Sequence, residues 1–241
     1  MTFFNNALAS EASWKTWKET STQSVKYRAS AINNKSGSQL LEIKATTKVN
    51  STLSAFLSFI QDVDNTPNWL VNSSESKILK QLSNTQVSFY IKLVRMWPFR
   101  PRILLLNSFY LQNKDLSIDI MLTDLNAEQE NSLLISKITD IKQLLPITIH
   151  HARWKITPKV SSSKNSGDNM EILIEYQFIA DGHGSIPQWL ADHLALKSVW
   201  KSMRNIRRQL PDKKWQQKKV SGITEISMNQ FPIIDKTAIP E

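Results

Sequence analysis

Four histidines and no cysteine set the limits on what this chain could coordinate or catalyse. His150 and His151 are adjacent in a segment of alternating polarity, so a strand sends them to opposite faces. His183 and His193 stand ten residues apart, not at the one-turn spacing that lets two imidazoles share a metal. A metal site is therefore not expected, and without thiols neither is a disulfide or a cysteine nucleophile. No serine sits in a G-x-S-x-G elbow, and Gly182-His183-Gly184 alone lacks the form of a phosphate loop. No cofactor is expected. His193 falls on the apolar stripe of a long helix, where a lone histidine is more often a hydrogen-bonded core residue than a catalyst, and Tyr90 and Arg153 stand on strands. Arg153 alternates with Ala152 and Trp154, and the alternation leaves two placements open. It faces either an interior, where Asp119 or Asp124 could pair with it, or solvent.

The elements that must position these groups read as strands first and one long helix last. Val25–Ile32 and Leu41–Val49 alternate across the polar turn 33–38 and form a hairpin. Ser51 can cap a short helix carrying Leu53, Phe56, Leu57 and Ile60, which stops near Pro67. Alternation then resumes at about 73–82, 86–96, 102–111, 115–124, 132–142, 149–159 and 170–180. About nine strands result. Joined by short turns they must be antiparallel, because parallel neighbours need long crossovers. After the turn 181–185 the period becomes helical. Ile186, Trp189, His193, Leu196, Trp200, Met203, Arg207 and Leu210 fall on one stripe, with Pro187 in the first turn. The fold class is α+β, a helix-grip arrangement in which an antiparallel sheet wraps a long C-terminal helix. Residues 7–19 are expected to add an N-terminal helix. The domain is expected to span 1–210, followed by a basic extension at 211–241.

Charge is concentrated at one place. Between Lys197 and Lys219 stand nine basic residues and one acid, Asp212, so this stretch holds nearly all of the net charge of +9. Lys201, Arg204, Arg208, Lys213 and Lys214 make a candidate contact with an anionic membrane surface. A nucleic-acid partner is not expected, since no recognition motif accompanies the patch. No apolar run is long enough to span a bilayer, and the first residues lack a complete signal peptide, so the expected compartment is the cytoplasm or the periplasm.

The run Tyr176…Asp181-Gly-His-Gly-Ser-Ile-Pro-Gln-Trp-Leu190 resembles the strand–turn–helix signature of START domains, the steroidogenic-acute-regulatory-related lipid-transfer family. Asp62–Leu70, Tyr90…Trp97-Pro98-Phe99-Arg100 and Arg153–Pro158 resemble further family segments in the same order. One departure stands out: the Asp expected after the Arg of the central turn is absent, Arg102 being followed by Ile103. The resemblance implies a monomer that binds and transfers a lipid or other hydrophobic small molecule and is not an enzyme. It also implies a cavity under the last helix, which with a neighbouring loop acts as a lid. Tyr176, Trp189, His193, Leu196, Trp200 and Met203 would contact the ligand there, with Arg153 and Tyr90 as polar partners. The same architecture also serves cyclase- and aromatase-type enzymes acting on polyketide-like substrates, in which His193, Tyr90 or Arg153 would do acid–base work.

Overall fold

In the computed structural model, residues 12–94, 99–126, 138–160 and 170–226 are described. The strands are β1 (Lys15–Glu19), β2 (Gln23–Asn33), β3 (Gln39–Asn50), β4 (Ser73–Gln81), β5 (Gln86–Leu93), β6 (Arg102–Gln112), β7 (Ile118–Asp124), β8 (Leu145–Pro146), β9 (Thr148–Val160) and β10 (Met170–Asp181). The helices are α1 (Leu53–Gln61), α2 (Thr66–Trp69), α3 (Gln188–Gln209) and α4 (Lys213–Gln216). One sheet runs in the order β1-β2-β3-β10-β9-β7-β6-β5-β4, and β8 pairs parallel to the start of β6. All other pairings are antiparallel, as short connections demand. The chain leaves the sheet after β3, crosses it through α1 and α2, and returns as a meander. Its last strand, β10, closes against β3.

Why one face is buried follows from the alternation. Ile172 and Ile174 of β10, Ile43 and Ala45 of β3, Trp154 and Ile156 of β9 and Ile118 and Ile120 of β7 all point inward and are buried. Phe56, Leu57 and Phe59 of α1 and Leu196, Val199, Trp200, Met203 and Ile206 of α3 complete this core.

Two sequence expectations are corrected. Lys15–Glu19 is not helical; it pairs with β2 from Lys15↔Tyr27 to Glu19↔Ser24. The free edge of β2 offers this short segment backbone partners that a single helical turn could not match. Trp17 alone packs inward, edge-on to Trp200 at 6.3 Å. The earlier part of the expected helix, residues 7–11, lies outside the described residues. The strand expected at 132–142 is not found in its described part: residues 138–143 form a turn and a 3-10 helix at Ile141–Gln143, with Asp140 left-handed at φ 58. Ile138, Ile141 and Leu144 recur every third residue, the period of that turn. They cover Tyr90, Ile103 and Leu105 on the outer face of the sheet.

The expected boundary at 210 is not where packing ends. Trp215 of α4 is buried against Phe59, with ring centroids 5.2 Å apart. The carboxylate of Glu225 accepts from the backbone N–H groups of Leu53 (3.0 Å) and Ser54 (2.7 Å). It thus joins Thr52, rather than the expected Ser51, in capping α1.

Candidate functional site

Beside the packed stripe of Leu196 and Trp200, the sheet and α3 stand apart. Between them lies a pocket of about 400 Å³. The sheet contributes Phe89, Leu104, Leu106, Leu122, Ile149, Tyr176 and Phe178, and Trp69 of α2 adds a side wall. The helix contributes Ala191, Ala195, Ser198 and Ser202, small residues at steps of three and four, beside Val199 and Met203. Small side chains on the facing stripe are the local reason the space stays open. Larger ones there would reach the sheet.

The floor is built from rings. Trp154 and Tyr176 are opposite one another on β9 and β10 and stack at 4.1 Å and 19°. Tyr176 and Phe178 stack at 5.0 Å and 23°. Trp69 meets Trp154 edge-on at 6.2 Å, and its indole N–H is buried without a partner. Burial pushes the Tyr176 phenol above its usual range, so it stays protonated.

α3 is fastened mainly towards its C-terminal end. Ser198 donates to Val71 O (3.3 Å), Val71 N–H donates to Ser202 Oγ (3.0 Å), and Asn205 and Gln209 donate to Trp69 O (3.1 Å) and Asn68 O (2.8 Å). Gln23 donates to Trp200 O at 2.8 Å. At the other end, Gln188 accepts from Asn34 (3.0 Å) and donates to Asp192 (2.8 Å). Burial pushes the Asp192 carboxyl up, with the Gln188 bond partly offsetting it.

The turn between β10 and α3 is held from two sides. Arg102 donates to the carbonyls of Gly182 (2.9 Å), His183 (3.0 Å) and Arg100 (3.1 Å), and burial lowers its pKa. Gly184 needs its own flexibility here, at φ +82, with Leu145 and Arg102 close to where a Cβ would stand. Asp181, His183 and Thr148 form a carboxylate–imidazole–hydroxyl chain, Asp181 Oδ2 to His183 Nδ1 at 3.1 Å and His183 Nε2 to Thr148 Oγ1 at 2.8 Å. Thr148 is not among the residues lining the pocket, so this chain locks the turn and presents no nucleophile to the space beside it.

Of the eight residues expected at the ligand, Tyr176 and Met203 line the pocket. Leu196 and Trp200 are buried in the solid core beside it. Trp189 is 71% exposed and His193 is exposed as well, because the pocket-facing side of α3 is carried by Ala191, Asp192 and Ala195 instead. Arg153 points outward and pairs with Asp119, Nη2 to Oδ1 at 2.6 Å, which decides the open alternation in favour of Trp154 as the inner residue. Tyr90 also lies on the outer face, bonded to Glu75, whose other oxygen takes Lys92 at 2.8 Å. The three groups considered for acid–base chemistry are therefore not brought together, and none of them lines the pocket. Arg153→Ala is expected to cost no more than about 1 kcal/mol, since the pair is part-exposed, and to leave ligand affinity unchanged. Urea melts and a binding titration check this.

Lys201, Arg204, Arg208, Lys213 and Lys214 are all exposed. Lys201, Arg204 and Arg208 stand with Lys197, His193 and Trp189 on exposed positions of α3, and Lys213 and Lys214 on α4. No helix among the described residues is long and apolar enough to cross a membrane.

This architecture is the helix-grip fold of START domains. The chain is similar to the STAR-related lipid transfer protein of Xanthomonas axonopodis, with 19% identity, 83% of this chain and 99% of that one covered, and a TM-score of 0.60. It is also similar to the lipid transfer and protein localization domain of human StarD13 (13%, 82% and 88%, 0.62) and to human StAR-related lipid transfer protein 5 (16%, 81% and 85%, 0.61). No family model and no curated protein matches the sequence.

Proposed function

We propose that this protein binds and transfers a lipid- or sterol-class ligand, held in the cavity under α3 and exchanged at an anionic membrane surface. The observation that carries the reading is the pocket itself, a largely apolar space of about 400 Å³ left open by the small residues of α3. That volume falls within the range of about 300–1,000 Å³ typical of small-molecule sites. Desolvating an apolar ligand there contributes about 25 cal/mol per Å² buried, enough to hold it without bond formation. The structural neighbours whose names include lipid transfer support the same reading.

The outer side of α3 suits a bilayer. Trp189 offers an amphipathic ring at headgroup depth, and the cations beyond it face the same way. Replacing Lys201 and Arg204 together by alanine is expected to weaken binding to vesicles containing phosphatidylserine about 30-fold, at about 1 kcal/mol per cation. Co-sedimentation at low and high salt measures it. The reading as a whole is tested by incubating the protein with liposomes, re-isolating it and identifying bound molecules by native mass spectrometry. One lipid per chain is the expected result, and a protein that emerges empty overturns the proposal.

A further inference from the structure

Tyr176 is held more tightly than a plain core residue would need. Its ring stacks on Trp154 at 4.1 Å and on Phe178 at 5.0 Å, and two near-parallel rings cannot share one face of a third. The phenol is therefore sandwiched, and the direction of its hydroxyl is fixed. That hydroxyl belongs to a pocket-lining residue and has no hydrogen-bond partner among the described residues. An unpaired hydroxyl held by its stacked ring at the wall of the pocket is suited to a ligand oxygen.

The charges around the cavity narrow the ligand further. Arg102 is the one Lys or Arg among the residues lining it, and all three of its guanidinium nitrogens are engaged by backbone carbonyls. His183 is held between Asp181 and Thr148. Asp192 lines the same space and pairs with no cation among the described residues. An anionic group brought inside would meet the Asp192 carboxylate, and the one cation of the lining already turns three of its five N–H groups away to the carbonyls of the turn.

We infer that the buried end of the ligand is uncharged: an apolar body with one oxygen function, a hydroxyl, carbonyl or ester, bonded to Tyr176. The cavity discriminates against the carboxylate of the same chain length. This rests on the lipid-binding reading of the pocket, and the test separates the two. Dodecan-1-ol, methyl dodecanoate and dodecanoate are titrated at pH 8 into the wild type, Tyr176→Phe and Ala195→Trp by calorimetry. The alcohol and the ester are expected to bind the wild type at least about tenfold more tightly than dodecanoate. Tyr176→Phe keeps the stack and is expected to lose about five- to tenfold for alcohol and ester alone. Dodecanoate binding as tightly as the alcohol overturns this inference, a comparison that needs no variant to fold. So does a Tyr176→Phe protein that binds the alcohol and ester as the wild type does. No binding of any of the three, or alcohol binding untouched by Ala195→Trp, overturns the pocket reading itself.

Discussion

A chain ended at Leu210 is expected to lose most of its stability, although sequence alone makes the following residues look like a basic tail. Trp215 is 5% exposed and packs on Phe59 of α1, and removing a buried Trp costs about 3–5 kcal/mol. Glu225 supplies two charge-assisted bonds to the start of α1, a cap worth about 1 kcal/mol. Gln216 bonded to Ser51 (3.0 Å), and Thr224 exchanging bonds with Gln112, tie the same segment to β3's exit and to β6. Against a total of about 5–15 kcal/mol for a domain, these losses are decisive. Trp215→Ala should lower the unfolding free energy by about 3–5 kcal/mol and Glu225→Ala by about 1 kcal/mol, and the truncated chain should be largely unfolded at 37 °C. Circular dichroism during urea titration reads all three. An unchanged midpoint for the truncated chain would mean that residues 211–226 rest on the domain without supporting it.

The packing of Trp215 shows what a sequence hides. Lys213, Lys214, Lys218 and Lys219 surround Trp215, and in one dimension their charge masks the single residue that anchors the segment. Period-two alternation was legible wherever strands are half-buried, as in Ile172, Ile174 and Tyr176 of β10 or Ile118 and Ile120 of β7. It settles which residues share a face, not which face is covered. Arg153 illustrates the limit: its strand was readable, but only the sheet's partner elements decide that Trp154 is inside and Arg153 is paired with Asp119. Three-residue spacing at Ile138, Ile141 and Leu144 could have identified the turn that alternation misread as a strand.

The candidate site was less legible than the fold because a hollow is defined by what is missing. Searching α3 for large apolar residues finds the core face, Leu196, Trp200 and Met203, and carries the stripe back to Trp189 and His193, which are exposed. The pocket face lies a fraction of a turn away and is marked by smallness: Ala191, Ala195, Ser198 and Ser202. Such a run of small residues, beside a large-residue stripe on one helix, is the signal that could have located the cavity.

Filling that space is the sharpest test of where a ligand sits. In Ala195→Trp an indole replaces a methyl group on the helix face that looks across the cavity. The added ring takes up a large share of about 400 Å³, and lipid uptake from liposomes is expected to fall below detection, a loss of about 100-fold or more. Stability should move little. Occupying a cavity recovers lost packing at about 24 cal/mol per Å³, whereas misfit costs about 1–3 kcal/mol, and the two effects oppose each other. A protein that melts like the wild type yet carries no lipid separates occupancy from unfolding. Lys197→Trp, on the exposed side of the same helix, adds the same ring outside the pocket, and uptake should fall by no more than the about fivefold that one cation at the membrane carries. If Ala195→Trp instead acquires lipid as the wild type does, the ligand lies elsewhere and the opening beneath α3 is merely a packing defect. If both variants lose uptake while remaining folded, the solvent side of α3 governs transfer at the membrane, and the vesicle-binding measurement on Lys201 and Arg204 becomes the one to explain it.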